Sequence, residues 1–365
     1  MKRYIFLLIS CYYFVAGATG DLRQFADSLR TSCKIPELAY AIVRPDSIYA
    51  LQVIGHHRAF PQPSWDTCSS NDYFHLGSNS KAITAFIAAR LVEQGKIKWE
   101  TKFFKLFPKM KKGSDTAYYN INLRDLLSHR ARIEPYESGL EYQELPNFKG
   151  NTAARREQFV QYVLREKPVR RSDALYHYSN AGYSVAALML EKVSGKTWEQ
   201  LVHLILSDSL HLRATTGWPN RMDSIQPWGH VVEDGALWPT PADFDYDLAM
   251  AEPAGDISMP IADYATFVRM NLRGLLGHDN FLKASTYNFL HYGSEQYAMG
   301  WLNTLPNASG LSEHAGSAGT FYCFTMIDLK SKAAYIVIAN SADPTTKQAL
   351  FRLIDAMIEE VKRNP

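Results

Sequence analysis

Apolar positions at helical spacing run from Asp21 to Cys33, and the pattern then changes period. The stretch "LAYAIVRPDSIYALQVIG" (38–55) reads as two strands joined at Pro45-Asp46, a pair that favours a turn. Residues 79–94, "NSKAITAFIAARLVEQ", return to the helical period, with Ile83, Phe86, Ile87 and Leu91 on one face and Gly95 as the stop. From about 100 to 290 helical signals alternate with irregular loops, and the polar, Arg-rich stretch 130–172 reads as an excursion over the surface of the core. Near the C-terminus, "FYCFTMIDLKSKAAYIVIAN" reads as a hairpin turning at Lys330-Ser331-Lys332, and "TKQALFRLIDAMIEEVKR" as a final helix. With strands at both ends, the pattern predicts one sheet built from about 25–77 and 290–365, with a mainly helical insert over about 100–285. No internal repeat is visible, which excludes a solenoid.

Composition narrows the class without choosing a function. The 365 residues are 46% hydrophobic and 21% charged, enough for one large domain or a core with an insert. The formal charge is +2, and Lys2 and Arg3 are the only charged residues among the first twenty. Removing them leaves a balanced chain with no electrostatic footprint for nucleic acid. The opening "MKRYIFLLISCYYFVAGATG" has a basic start, an apolar stretch from Tyr4 to Val15 and small residues at Ala16-Gly17-Ala18, the pattern of a signal peptide cleaved near Ala18. Leu8-Ile9-Ser10-Cys11 fits a bacterial lipoprotein box as an alternative, with a lipid anchor on Cys11. Either way a secreted or periplasmic protein is expected, and no later segment is apolar enough for a transmembrane anchor. Cys33 and Cys68 are a pair for which a disulfide is one option, whereas Cys323, inside an apolar run, reads as a buried strand residue. His56-His57 lacks a third ligand at metal spacing and reads as an exposed strand end.

Three short motifs carry chemistry. Ser-x-x-Lys occurs once, at Ser78 and Lys81, where a loop enters the 79–94 helix; residues three apart share a helix face and can meet. Either Asn79 or Ser80 is only an N-cap there, or Ser78 is a nucleophile with Lys81 as its base. The second option needs burial or a neighbouring cation to bring the amine below its ordinary pKa near 10.4. The second motif is Tyr178-Ser179-Asn180, just ahead of another helix, where a phenol could shuttle a proton and an amide could hold substrate and Lys81. Tyr118-Tyr119-Asn120 is a decoy with no helix after it. The third is His314-Ala315-Gly316-Ser317, leading into the strand that starts near Phe321. Its glycine would let substrate lie along the strand edge, and the N–H groups of Ser317 and Ser78 would make an oxyanion hole. Lys111-Lys112-Gly113-Ser114 and His291-Tyr292-Gly293-Ser294 are decoys, neither followed by a long apolar strand.

In this order the motifs resemble those of the serine β-lactamase-like hydrolases, which include class C β-lactamases, low-molecular-weight penicillin-binding DD-peptidases, D-aminopeptidases and esterases. The resemblance covers about 25–360 and extends to "LRDLLSHRARI", "GKTWEQLVHLIL", "EPAGDISMPIADYATFV" and "YAMGW". It implies a mixed α/β (α+β) fold of the β-lactamase/transpeptidase kind, an antiparallel sheet flanked by helices plus an all-helical subdomain, with a cleft between. It implies Ser78 as acylated nucleophile, Lys81 as general base, Tyr178 as proton shuttle and Asn180 as substrate clamp. His314, Gly316 and Ser317 would line the opposite wall. No metal or organic cofactor, a small-molecule or peptide substrate and a monomer are expected.

Two departures bear on function. Arg130-Ala131-Arg132-Ile133 stands where the family continues with Thr-Ser-Gly-Leu, which puts the shape of that loop in question. His314 stands where most β-lactamases place lysine; histidine is largely neutral at neutral pH and grips a carboxylate less well, which suits a peptidase, aminopeptidase or esterase. An α/β-hydrolase would need Gly-x-Ser-x-Gly, and Ala315-Gly316-Ser317-Ala318-Gly319 has its glycine one position off. A binding or sensor domain that keeps the fold without turnover is the non-enzymatic alternative. Substrate choice falls to the 130–172 excursion and the segment from Trp228 to Phe244.

Overall fold

The computed structural model describes residues 22–365 apart from 61–66, 138–140, 143, 171–173, 245–247, 249 and 304–309. The cleavage site and Cys11 lie outside the described residues. The chain begins with α1 (Leu22–Ser32) and the hairpin of β1 (Glu37–Val43) and β2 (Ile48–Gly55), which turns through Pro45-Asp46 as expected. A short β3 (Tyr73–His75) leads into α2 (Ser80–Glu93). The middle of the chain is mainly helical but also holds β4 (Thr215–Thr216), the hairpin β5 (His230–Glu233) and β6 (Ala236–Pro239), and β7 (Ile257–Pro260). The chain closes with β8 (Gln296–Tyr297), β9 (Leu302–Asn303), β10 (Leu311–Ser317), β11 (Tyr322–Asp328), β12 (Ala333–Ala339) and a helix Pro344–Arg363.

Both ends build one antiparallel sheet, ordered β2-β1-β12-β11-β10-β9-β8. The termini join at β1 and β12, with Tyr40 opposite Val337 and Ala41 opposite Ile336. Alternation along these strands makes two apolar layers. Leu38, Tyr40, Ile42, Tyr335 and Val337 face α1 and the C-terminal helix, whose start is capped by the Asp343 carboxylate on the N–H groups of Thr345 and Thr346. Ala39, Ala41, Val43, Ile336 and Ile338 face the other way, where the helix Ile261–Leu275 covers them; small residues there let that helix come close. Each fully buried leucine or isoleucine contributes about 1.5–3 kcal/mol by leaving water. A boundary at 285 would assign helix 261–275 to the helical insert, yet its buried face lies on β1, β2 and β12. The chain returns to the sheet earlier than the pattern alone indicated, because that helix is apolar towards the sheet while its sequence period resembles its neighbours'.

α2 also differs from its expected form. Ile83, Phe86, Ile87 and Leu91 are buried, but so are Ala82, Ala85, Ala88 and Ala89. Helices Asn180–Ser194, Glu252–Gly255 and Ala284–Tyr292 surround it, so no face is left to water from Ser80 to Ala89, and only the last turn, at Arg90, Val92 and Glu93, is half-buried. His56 is exposed after β2 as read, whereas His57 is buried with Nε2 3.0 Å from Asp72 Oδ2. Asn340 holds it there, accepting from Glu37 N and donating to the His57 carbonyl. Cys33 and Cys68 are unbonded thiols, the latter donating to Val53 O at 3.4 Å, and Cys323 is buried in β11.

Candidate active site

The turn Gly77–Asn79 is a single 3₁₀ turn that runs directly into α2. No side chain caps the helix: Asn79 has helical dihedrals (φ −63°, ψ −17°), so its amide cannot fold back onto the first turn. That amide donates instead to Cys323 Sγ (2.9 Å) and Thr325 Oγ1 (3.2 Å) on β11, while Ser80 Oγ accepts from Ile257 N (3.0 Å). Both capping candidates are spent elsewhere. Ser78, partly open to solvent, meets Lys81 Nζ at 3.1 Å, one helical turn on.

Lys81 is fully buried and its nitrogen has two further partners, Asn180 Oδ1 at 2.7 Å and the Ala254 carbonyl at 2.8 Å. The Asn180 amide is oriented by its own nitrogen, which donates to the Tyr136 carbonyl at 2.8 Å. Two of the three partners are therefore pure acceptors. A neutral amine has two hydrogens, so they occupy both and leave the lone pair facing the Ser78 hydroxyl. Burial pushes the ammonium well below its ordinary pKa. The Glu137 carboxylate opposes this, as does the Tyr178 ring 4.6 Å beneath Nζ, but desolvation is the larger effect.

Tyr178 precedes the helix Asn180–Ser194, which Ser179 caps by accepting from Gly182 N at 3.0 Å. His129 holds this segment: its carbonyl accepts from His177 N (2.8 Å), its Nδ1 accepts from Ser179 N (3.1 Å), and its ring lies 4.3 Å from that of Tyr178. Burial raises the phenol well above its usual pKa, although a hydrogen bond with Ser78 pulls the other way. Amine and phenol thus shift in opposite senses. The amine is the group that gives up its proton readily, and the phenol is the group that keeps one to donate.

β10 closes the other side. Gly77 (φ +53°) and Gly316 bring the two backbones into contact: a Cβ on Gly316 would stand 2.0 Å from Leu76 O and 2.8 Å from Ser78 N, and one on Gly77 2.4 Å from Ser317 N. The room expected at this glycine for substrate is filled by the turn Gly77–Asn79, which sets Ser78 N and Ser317 N on either side of one contact. Beyond Glu313, which pairs with Leu302, β10 has no further ladder to β9 among the described residues, so the edge at 314–317 is free on that side. His314 also differs from its expected place on the cleft wall. It is buried, Nδ1 meets Asn79 Oδ1 at 3.1 Å and Nε2 the Tyr297 hydroxyl at 3.0 Å. Desolvation and Lys81 lower its pKa to about 3. Both ring nitrogens are engaged within the protein and the ring is neutral, so His314 supports Asn79 and offers no charge to a substrate.

The decoys are used structurally: Tyr118 is buried, Ser114 Oγ donates to Met110 O, and His291 bonds Ser312 Oγ (2.6 Å) and Asn271 Oδ1 (3.1 Å). The divergent loop keeps a left-handed residue at Arg132 (φ +59°), where the family pattern has glycine. Arg130 ties the loop down by donating to the carbonyls of Ser128, Tyr297 and Glu295. Motif reading missed the Ala254 and Tyr136 carbonyls, Asn79, Tyr297 and Glu137. Ala254 and Tyr297 lie within the quoted "EPAGDISMPIADYATFV" and "YAMGW" segments; backbone acceptors have no side-chain signal.

A family model described as Beta-lactamase matches residues 22–356. Penicillin-binding protein 4 of Amycolatopsis lactamdurans is 23% identical over 253 residues, 67% of this chain and 62% of that protein. Protein flp of Staphylococcus aureus (strain COL) is 20% identical over 349 residues, 88% of this chain and 64% of that protein. The chain thus spans under two thirds of the length of these curated relatives. Among solved structures, the octameric penicillin-binding protein homologue from Pyrococcus abyssi aligns with TM-score 0.72 at 17% identity, covering 92% of this chain and 76% of that one.

Proposed function

The chain belongs to the beta-lactamase family, a family of serine hydrolases, and on that premise we propose that it hydrolyses a peptide, amide or ester through an acyl-enzyme on Ser78. The observation that carries this is the Lys81 amine, held by two acceptors and aimed at the Ser78 hydroxyl 3.1 Å away. Lys81 takes the serine proton as Oγ attacks the substrate carbonyl. The N–H groups of Ser78 and Ser317 receive the developing oxyanion. Tyr178 gives its proton to the leaving group and is reprotonated from Lys81; a water then attacks the ester and reverses the sequence. Asn180 positions Lys81 and faces the cleft.

The substrate class proposed is that of DD-peptidases and D-aminopeptidases. A neutral His314 supplies no cation for a substrate carboxylate, which supports the D-aminopeptidase side of that class and weighs against β-lactams. The reading includes export by the N-terminal segment and a monomeric state. Among the described residues no helix is long and apolar enough to cross a membrane. A fluorophosphonate probe followed by intact-mass measurement tests the core of the reading. One label per chain, lost in Ser78→Ala, is expected; an unlabelled wild-type protein would instead favour a binding or sensor role. A panel of D-Ala-D-Ala peptide, D-aminoacyl amide, short-chain nitrophenyl ester and chromogenic cephalosporin then ranks substrates, with the cephalosporin expected last. Light scattering checks the monomer.

A further inference from the structure

The wall of the cleft that carries Asn180 ends in an exposed carboxylate, Glu137, which no step above uses. Its position is set by the backbone. Three consecutive carbonyls, those of Glu134, Pro135 and Tyr136, accept from Ser179 Oγ, Asn180 N and Asn180 Nδ2, each at 2.8 Å. Tyr136 adopts a left-handed conformation (φ +51°) that is unusual for a bulky residue. Its buried ring, edge-on to Phe159 at 5.2 Å, and its hydroxyl, which donates to Glu166 Oε2 at 2.9 Å, hold it there. The chain turns at Tyr136 and leaves Glu137 at the mouth of the cleft, one residue from the carbonyl that orients the catalytic amide.

The charges around it are one-sided. The Glu137 carboxylate acts on Lys81, Tyr178 and Tyr176, and Glu141 adds a second negative charge beside it. Among the described residues the cations of the site are committed: the Arg130 guanidinium is spent on three carbonyls, Lys81 is held by burial towards its neutral form, and His314 is neutral. A cleft with an acid at its mouth and, among the described residues, no uncommitted cation opposite disfavours a substrate carboxylate and favours an ammonium.

We propose that Glu137 is a specificity-determining residue that pairs with a protonated amine on the acyl side of the substrate, so that the preferred substrates are aminoacyl amides or esters with a free amino group. This rests on the serine-hydrolase reading and narrows it from peptides and amides in general to aminopeptidase-type substrates. The amine beside the scissile carbonyl bonds the carboxylate of Glu137 while the carbonyl oxygen lies between the N–H groups of Ser78 and Ser317.

The test compares D-alanine p-nitroanilide with its N-acetyl counterpart, which lacks the charge. The ratio of their kcat/KM values should favour the free amine by at least tenfold in the wild-type protein. It should fall about 10- to 100-fold in Glu137→Gln, the range expected for loss of a charge-assisted hydrogen bond, and recover partly in Glu137→Asp. A second readout separates charge from shape. The carboxylate stabilises the Lys81 ammonium, so Glu137→Gln should move the acid limb of the pH–rate profile to lower pH. A wild-type ratio near one, or a ratio unchanged in Glu137→Gln, overturns the assignment of Glu137 in a protein that still takes the fluorophosphonate label. A protein that takes no label overturns the serine-hydrolase reading and this inference with it.

Discussion

Gly316→Ala adds one methyl group at the contact on which the site's geometry depends. The new Cβ would stand 2.0 Å from Leu76 O and 2.8 Å from the nitrogens of Ser78 and Asn79. A carbon normally rests roughly 3.3 Å or more from a carbonyl oxygen. The turn Gly77–Asn79 and β10 must therefore separate by more than about 1 Å, and neither can yield by rotating a side chain, because the atoms in collision are backbone. Alanine's smaller loss of backbone entropy offers about 0.4–1 kcal/mol in return, against an overpacking cost of about 1–3 kcal/mol, so the variant should be less stable. Activity should suffer more than stability: a misplacement of ~1 Å costs on the order of 100-fold in rate, because the oxyanion donors no longer converge with Ser78 Oγ. The assay is the second-order rate of fluorophosphonate labelling beside a circular-dichroism melt. Gly195→Ala is the control. Gly195 has φ +69° and nothing within 4 Å of a would-be Cβ, so that variant should lose about 1–2 kcal/mol of stability to backbone strain and label at the wild-type rate. Wild-type labelling by Gly316→Ala would show that the contact between β10 and the turn does not set the catalytic geometry.

Lys81→Ala should slow labelling by about 10²- to 10⁴-fold, the usual worth of a positioned base, with secondary structure retained; near-normal labelling would remove the amine from the mechanism. The labelling rate of the wild-type protein should fall with acidification through a pKa well below that of free lysine, because only the unprotonated amine accepts the serine proton. The His314 pKa of about 3 is too low to account for a limb near neutrality, so a limb that persists in Lys81→Ala would refute the assignment. Arg156 is fully buried against Glu191, Glu199 and Glu252, and Arg156→Met should cost about 3–5 kcal/mol in a denaturant titration by stranding their charges. Burial raises the Glu252 carboxyl to about 7 even though the Arg156 guanidinium lowers the proton affinity of all three carboxyls. Without the guanidinium they rise further, so the variant gains more stability than the wild type as pH falls, and the Arg156→Met deficit should be larger at pH 8 than at pH 5. Arg132→Gly relieves a left-handed conformation and should raise stability by about 1 kcal/mol; a lower melting temperature would mean that the arginine's contacts outweigh the strain.

Periodicity was enough for the elements at both ends of the chain. The hairpins 37–55 and 322–339 and the helix Pro344–Arg363 carry local signals, apolar runs closed by a turn and a proline behind a capping aspartate, that need no distant partner. Motif order likewise pointed to Ser78, Lys81, Tyr178 and Asn180, which the fold brings within one cluster, since the first two share a helical turn. What the linear order could not express was competition between distant groups. Whether Asn79 caps a helix or braces His314 depends on β11 being there to receive its amide, more than two hundred residues later. His314 could be read as a wall residue until Tyr297 and Asn79 claimed both its nitrogens, and Gly316 as space for substrate until the turn at Gly77 filled it. The lowered proton affinity of Lys81 belongs to no motif at all. It arises because neighbouring segments exclude water from its amine, and exclusion of water is a property of the packed fold alone.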